Sequence, residues 1–116
     1  GYRVTVIDNL VTGREGNVAH LRSNPKFRFL NLDVSEPFDI GEPMDIVYHF
    51  ASPASPAEFK RIPLEVLKCG SFATHHGLAM AEKYGATFFL ASTSEVYGDP
   101  LEHPQKESYW GHVNPV

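Results

Sequence analysis

The sequence predicts an α/β fold built on a parallel, doubly wound sheet. Two observations lead to this prediction: short apolar runs alternate with helical or loop segments, and each run ends in a small or acidic polar residue. Ligands bind at the carboxyl ends of the strands in such sheets. The residues that follow each run are therefore the first candidates for function.

Four runs rich in β-branched or aromatic residues have the length and composition of strands. They cover residues 3–8, 27–33, 45–50 and 87–92. The last run is almost continuously apolar, which is typical of a strand that helices cover on both faces.

Helices are predicted between these runs. A weak helix is expected at residues 17–22, and the longest one at 63–84, where apolar residues follow helical spacing and Gly85 suits the C-cap. The two prolines in residues 51–56 exclude an immediate helix after the third strand. The residues from Asp99 onward are expected to form a loop.

Composition narrows the class of partner. The chain has 116 residues and a formal net charge of -4, without a run of either sign, so we expect a small soluble partner and not nucleic acid or a membrane surface. The single cysteine, Cys69, excludes an internal disulfide and a metal-binding cysteine cluster. No apolar run approaches the roughly 20 residues of a membrane span, and the provisional location is the cytoplasm.

Asp8 ends the first predicted strand, where a dinucleotide-binding fold has a carboxylate that accepts hydrogen bonds from the adenosine ribose. Its charge would repel a 2′-phosphate and so favours NAD over NADP. An aspartate after a strand is also a common turn or capping residue, and both interpretations stay open for Asp8 alone. The residues nearby that could contact adenine or phosphate are Asn9, Thr12, Gly13, Asp33 and Val34.

The glycine-rich loop that cradles the pyrophosphate should precede the ribose acid by roughly 20 residues. Only seven residues precede Asp8. We therefore expect a partial Rossmann-like sheet that lacks its first strand and its glycine loop.

A hydroxyl-rich segment, Ser92-Thr93-Ser94-Glu95-Val96-Tyr97-Gly98, follows the fourth predicted strand. A polar turn that caps a strand has the same composition, and the residues alone favour neither interpretation. The segment falls on the same edge of the predicted sheet as Asp8, which favours a catalytic role.

Several motifs together resemble the UDP-glucuronate decarboxylases, also called UDP-xylose synthases, within the extended short-chain dehydrogenases. The resemblance covers nearly the whole chain and implies that bound NAD oxidises C4 of the sugar in UDP-glucuronate, CO₂ leaves, and the hydride returns to give UDP-xylose. It also implies a homodimeric parent protein. The motifs are residues 8–13, 48–56 and 92–98, with 99–100, 103–105 and 109–111 after them.

The resemblance assigns roles to individual residues. Thr93 would hydrogen-bond the reacting sugar hydroxyl, and Ser94 and Glu95 would face the sugar ring near its carboxylate. Lys68 would neutralise charge on the cofactor or substrate, although a solvated helix lysine is the open alternative. Tyr97 would serve packing. The NAD contacts would be Asp8, Asn9, Thr12, Gly13, Asp33, Val34, Phe50 and Ser52.

Ser94 distinguishes between neighbouring reactions of these families. Related dehydratases carry an aspartate there as a general acid for the departing hydroxyl. The pKa of a serine hydroxyl is far too high for that task, whereas a β-keto acid loses CO₂ without such a donor. Decarboxylation is therefore favoured over the alternatives, a sugar-nucleotide 4,6-dehydratase or 4-epimerase, and a non-catalytic nucleotide-binding module of a different class.

Three departures from the family pattern remain. Cys69-Gly70 stands where the family usually has Thr-Asn, and His75-His76 stands where it has Leu-Asn, which leaves the contacts of that helix open. Adjacent helical residues diverge by about 100°, so the two histidines are not expected to share a metal ion.

The third departure concerns the catalytic base. The Tyr-x-x-x-Lys pair of the superfamily is absent, since none of the five tyrosines has a lysine four places later. Residues 1–116 are therefore expected to be the central part of one NAD-binding domain without its sugar-binding C-terminal portion, and inactive alone.

Overall fold

The computed structural model describes residues 1–114, in which strands and helices alternate along the chain. The strands are β1 (Val4–Ile7), β2 (Phe27–Leu30), β3 (Ile46–His49) and β4 (Thr87–Leu90). Each lies inside a predicted run and stops before the polar residue that ends it. The α/β class is confirmed.

The four strands form two parallel pairs. Val4 lies opposite Phe27 in the β1–β2 pair, and Ile46 lies opposite Thr87 in the β3–β4 pair. Within residues 1–114 no ladder of hydrogen bonds joins the two pairs into one sheet. The parallel direction is confirmed, and each pair presents its carboxyl ends together.

The long predicted helix is present in extent but is not a continuous α-helix. It consists of α2 (Pro63–Lys68), a π-helical turn at Cys69–Ala73, and α3 (Thr74–Tyr84). Gly85 ends it in the left-handed conformation with φ of 66°, as the sequence predicts. No helix among the described residues combines the length and the apolar character that a membrane crossing requires.

A shorter helix, α1 (Pro56–Arg61), begins directly after the proline-containing loop. The prediction that the prolines exclude an immediate helix was wrong at Pro56, because a proline in the first helical turn has no hydrogen bond to lose and a suitable φ. The weak helix predicted at 17–22 is a 3₁₀-helix at Glu15–Leu21.

The core lies where α3 crosses one face of the β3–β4 pair. Gly77 is buried there, and a Cβ atom at this position would lie 2.9 Å from a ring carbon of Phe88, so the contact requires glycine. The buried hydrophobic residues among residues 1–114 are Ala73, Met80 and Ala81, all in this part of the chain.

The opposite face of the β3–β4 pair is open. Tyr48 stacks on Phe50 with ring centroids 5.6 Å apart, and Phe89 packs against both, yet these rings remain about half exposed or more. The prediction that helices cover β4 on both faces was therefore wrong for residues 1–114, because only α3 packs on the pair. The radius of gyration is 16.5 Å, above the about 13 Å of a compact domain of this length.

The chain after β4 forms a 3₁₀-helix at Ser94–Tyr97 and then a loop, as predicted. The loop folds back because the amide of Asp99 donates to the carbonyl of His112 at 3.0 Å and that of His112 donates to Tyr97 at 2.8 Å. The ring of Tyr97 packs 6.0 Å from that of Tyr109, in agreement with the packing role expected for it.

Candidate functional site

The turn after β1 is held by the side chains of its own first residues. The Asp8 carboxylate accepts the amide N–H of Leu10 at 2.7 Å, and the Asn9 side-chain oxygen accepts that of Val11 at 3.1 Å. Leu10 adopts a φ of 61°, a conformation that such turns require. The turn brings Gly13 against Asp8, where a Cβ atom would lie 2.7 Å from both carboxylate oxygens.

The turn after β2 fixes a second carboxylate. Asp33 accepts both the amide N–H of Ser35 at 2.8 Å and its hydroxyl at 2.7 Å. These bonds lower the pKa of Asp33 against a smaller opposing effect of burial, and the Asn9 side chain and the Lys68 charge lower it further. Asp33 is therefore ionised at neutral pH and lies within the influence of the β1 turn and of α2.

Cys69 connects these carboxylates to the end of β3. Its thiol donates to the carbonyl oxygen of Ala51 at 2.8 Å. Burial raises the pKa of the Cys69 thiol, and the negative charges of Asp33 and Asp8 raise it further. The chain segments after β1, β2 and β3 thus converge around the junction of α2 with the π-helical turn.

Two histidines tie the long helix to the strand pairs. The ring of His49 in β3 lies 3.0 Å from the Thr74 hydroxyl, and burial lowers the pKa of His49. The Nδ1 atom of His76 lies 3.1 Å from the carbonyl oxygen of Val34, just after Asp33. Sequence reasoning missed both contacts, because partners 25 and 42 residues apart leave no local pattern. The Ser35 contact was accessible from the Asp-x-Ser spacing of a polar turn.

The remaining predicted cofactor residues are less closely gathered. Phe50 is exposed, and its ring belongs to the open aromatic face with Tyr48 and Phe89. Ser52 and Thr12 are exposed. Of the loop after β3, the backbone of Ala51 and not a predicted side chain contacts the convergent region.

The hydroxyl-rich segment forms the N-terminus of the Ser94–Tyr97 3₁₀-helix. The Thr93 hydroxyl is the N-cap: it lies 3.3 Å from the amide nitrogen of Glu95 and donates to the Glu95 carboxylate at 3.1 Å. Thr93, Ser94 and Glu95 are exposed.

This segment leaves the β3–β4 pair at the carboxyl end. The amide of Ala91 donates to the carbonyl of His49 at 3.2 Å, which continues the pairing past β4. The hydrogen bonds of Thr93 and Glu95 join them to each other and not to the Asp8 turn. The structure therefore presents two polar groups of residues, one after β1 and β2 and one after β4.

The convergent region offers carboxylates, an amide and a lysine, which suit sugar hydroxyls and phosphates. The rings of His75 and His76 lie 5.5 Å apart in an edge-on arrangement. Among residues 1–114 no three histidine, cysteine, aspartate or glutamate side chains gather as a metal site requires.

Parallel strand pairs with polar turns at their carboxyl ends define a Rossmann-like α/β protein. The particular family follows from the sequence: the chain belongs to the GDP-mannose 4,6-dehydratase family, whose model matches residues 1–115.

Known proteins agree with this fold and narrow the resemblance. The chain is 52% identical over all 116 residues to UDP-glucuronic acid decarboxylase 1 of Arabidopsis thaliana, of which it covers 26%. It is 50% identical to UDP-glucuronic acid decarboxylase 1 of Danio rerio, of which it covers 27%. A crystal structure of UDP-galactose 4-epimerase superposes with a TM-score of 0.81 at 30% identity, covering 97% of this chain and 37% of that one. The resemblance to UDP-glucuronate decarboxylases is confirmed, and the chain spans about a quarter of the length of these curated relatives.

Proposed function

We propose that the full-length protein is an NAD-dependent UDP-glucuronate decarboxylase that makes UDP-xylose. The observation that carries this proposal is the 52% identity to such a decarboxylase across all 116 residues, which include every turn of the candidate site. Ser94 supports the same reaction, because a serine hydroxyl cannot serve as the general acid of a dehydratase.

Residues 1–116 would form the central part of one NAD-binding domain. Three features support this: the two strand pairs have no ladder between them, the aromatic face of Tyr48, Phe50 and Phe89 is open, and the described residues are less compact than an independent domain. A further parallel strand with its glycine loop would join the pairs, and a C-terminal portion would complete the sugar site.

The convergent region fits NAD. Asp8 and Asp33 supply the carboxylates that ribose and adenine donors need, and Gly13 keeps the space beside Asp8 that a side chain would fill. When bound, NAD would accept a hydride from C4 of the sugar and return it. The residues proposed to hold it are Asp8, Asn9, Thr12, Gly13, Asp33, Val34, Phe50 and Ser52, with Lys68 near the negative charge of cofactor or substrate.

The hydroxyl-rich segment would hold the sugar. The Thr93 hydroxyl, which Glu95 orients, would bond the hydroxyl that is oxidised. Oxidation at C4 makes the substrate a β-keto acid, so the electrons of the breaking C–C bond move into the ketone as CO₂ leaves. Ser94 and Glu95 would lie beside the carboxylate that departs, and this step needs no acidic group at position 94.

A homodimer also belongs to this proposal. Its support is the exposed apolar surface of α2 and the π-helical turn, where Leu64, Leu67 and Phe72 are 68%, 67% and 53% exposed. A cytoplasmic location stays a prediction.

The test is to incubate the complete protein with UDP-glucuronate and NAD and to follow the products by CO₂ release and mass spectrometry. We expect CO₂ and a UDP-pentose. Loss of water would indicate a dehydratase, a product of unchanged mass an epimerase, and NAD binding without turnover a non-catalytic module. Residues 1–116 alone should give no product, because no tyrosine in them is followed by a lysine four places later.

A further inference from the structure

His76 is half-buried on the first turn of α3 and contacts the loop that follows β2. Its Nδ1 atom lies 3.1 Å from the carbonyl oxygen of Val34. A carbonyl oxygen only accepts hydrogen bonds, so Nδ1 carries the proton that it donates. The family pattern has an asparagine at this position, which makes His76 a feature of this chain.

The segment from Val34 to Asp39 lies along α3 and is attached at both ends. His76 holds its first residue, while Lys83 and Tyr84, two turns later on the same helix, bond the Asp39 carboxylate. The Tyr84 hydroxyl lies 2.9 Å from this carboxylate. The two attachments are similar in kind but differ in what they adjoin, since only Val34 follows Asp33 directly.

We propose that His76 is a positioning residue for the nucleotide half of the cofactor. By fixing the Val34 carbonyl it sets the backbone of the turn in which Asp33 is bound by Ser35, and Asp33 and Val34 are proposed contacts of NAD. This inference rests on the proposed function, because it assumes that the turn after β2 receives NAD.

The position of the contact explains why it would act on affinity and not on chemistry. His76 bonds the turn after β2, whereas the hydroxyl-rich segment follows β4 and makes its hydrogen bonds internally. Loss of the His76 contact should therefore loosen the adenosine site and leave turnover at saturating NAD nearly unchanged. Ordering a recognition turn before binding lowers the entropy that binding costs.

The experiment measures NAD affinity and turnover of the full-length, NAD-stripped protein with three single substitutions. His76→Leu keeps the bulk and removes the donor, and we expect the dissociation constant for NAD to rise about three- to tenfold. His76→Asn should stay within about twofold of the wild type, because the asparagine amide nitrogen occupies nearly the position of Nδ1 and can donate to the same carbonyl.

Tyr84→Phe is the matched control, since it removes one hydrogen bond from the other end of the same segment. It should lower resistance to urea without changing the affinity for NAD. An unchanged NAD affinity in His76→Leu, or an equal loss of affinity in Tyr84→Phe, would overturn the positioning role while leaving the decarboxylase proposal intact. A wild-type protein that binds no NAD would overturn both.

A measurement on the wild type covers the case in which His76→Leu does not fold. Long-range ¹⁵N–¹H correlation spectra of histidine-labelled protein at mildly alkaline pH identify the tautomer of each neutral ring, with His76 assigned from the signal missing in His76→Asn. We expect the Nδ1–H tautomer. The Nε2–H tautomer would contradict the proposal, because Nδ1 could then not donate to Val34.

Discussion

The thiol of Cys69 lies 2.8 Å from the carbonyl oxygen of Ala51, so a helix residue holds the backbone between Phe50 and Ser52. The same thiol is within the electrostatic influence of Asp8 and Asp33. One side chain therefore reports on the chain segments that follow three different strands.

This environment predicts a slow thiol. Burial and the two carboxylates raise the pKa of Cys69, so the reactive thiolate fraction at a given pH is smaller than in a free cysteine. We expect alkylation of Cys69 by iodoacetamide to be much slower in the folded full-length protein than in guanidinium, as followed by peptide mass spectrometry. Asp33→Asn should lower the thiol pKa and speed the reaction by less than about tenfold.

Glu82→Gln is the control for this charge effect, since Glu82 is an exposed carboxylate near the other end of α3. It should leave the alkylation rate unchanged. A rate that rises equally in both variants would show that Asp33 has no specific influence on the thiol.

Gly13 and Gly16 provide a matched pair for the NAD site. A Cβ atom at Gly13 would lie 2.7 Å from both oxygens of Asp8, whereas one at Gly16 would have no neighbour within 4 Å. Because the added methyl must displace Asp8, we expect Gly13→Ala to weaken NAD binding about tenfold or more. Calorimetric titration of the full-length protein should show Gly16→Ala unchanged, and normal binding by Gly13→Ala would remove Asp8 from the proposed site.

Thr93 is proposed to contact the reacting hydroxyl of the sugar, and it is also a helix N-cap. Thr93→Val keeps the shape and removes the hydroxyl, so we expect kcat to fall about 100-fold, while Thr93→Ser should retain most activity. The lost cap should also destabilise the protein by about 1 kcal/mol. Steady-state kinetics below the unfolding temperature of both variants would separate the effects, and equal kcat values would exclude a role for the hydroxyl.

Asp39 predicts a pH dependence of stability. Hydrogen bonds from Lys83, the Gly41 amide and Tyr84 lower the pKa of Asp39 to about 2 from 3.8. The folded-state pKa is depressed, so the stabilisation is fully present above the unfolded value near 3.8 and is lost as the pH falls toward 2.

Asp39→Asn removes this titration. Urea unfolding should show the variant less stable than the wild type at pH 6, with a difference that shrinks as the pH falls below 4. Asp99→Asn is the control, because Asp99 is an exposed carboxylate outside this cluster. A difference between Asp39→Asn and wild type that stays constant across this range would contradict the assignment.

The sequence predicted the parts of the fold that depend on local composition. Strands β1 to β4 lie inside β-branched or aromatic runs, and Gly85 ends the long helix because its left-handed conformation excludes most other residues. The order of the polar turns after the strands followed from the same pattern.

Features that depend on distant partners could not be predicted. His76 finds Val34 and His49 finds Thr74 only after the chain has folded, so neither contact leaves a periodic signal. The cover on β4 was predicted from its apolar run, but composition cannot tell which segment supplies each face. Pro56 was misjudged because proline both ends helices and begins them.

The π-helical turn at Cys69–Ala73 sets the rotational phase of the long helix. Each residue advances a helix by about 100°, so a π-helical turn shifts every later side chain around the axis relative to α2. In this phase Gly77 faces Phe88 and His76 faces Val34, while Cys69 faces Ala51. Deleting one residue between 69 and 73 would therefore change all of these partners at once, although no partner itself had been altered. The length of this turn, more than the identity of its residues, keeps the helix in register with the strand pairs.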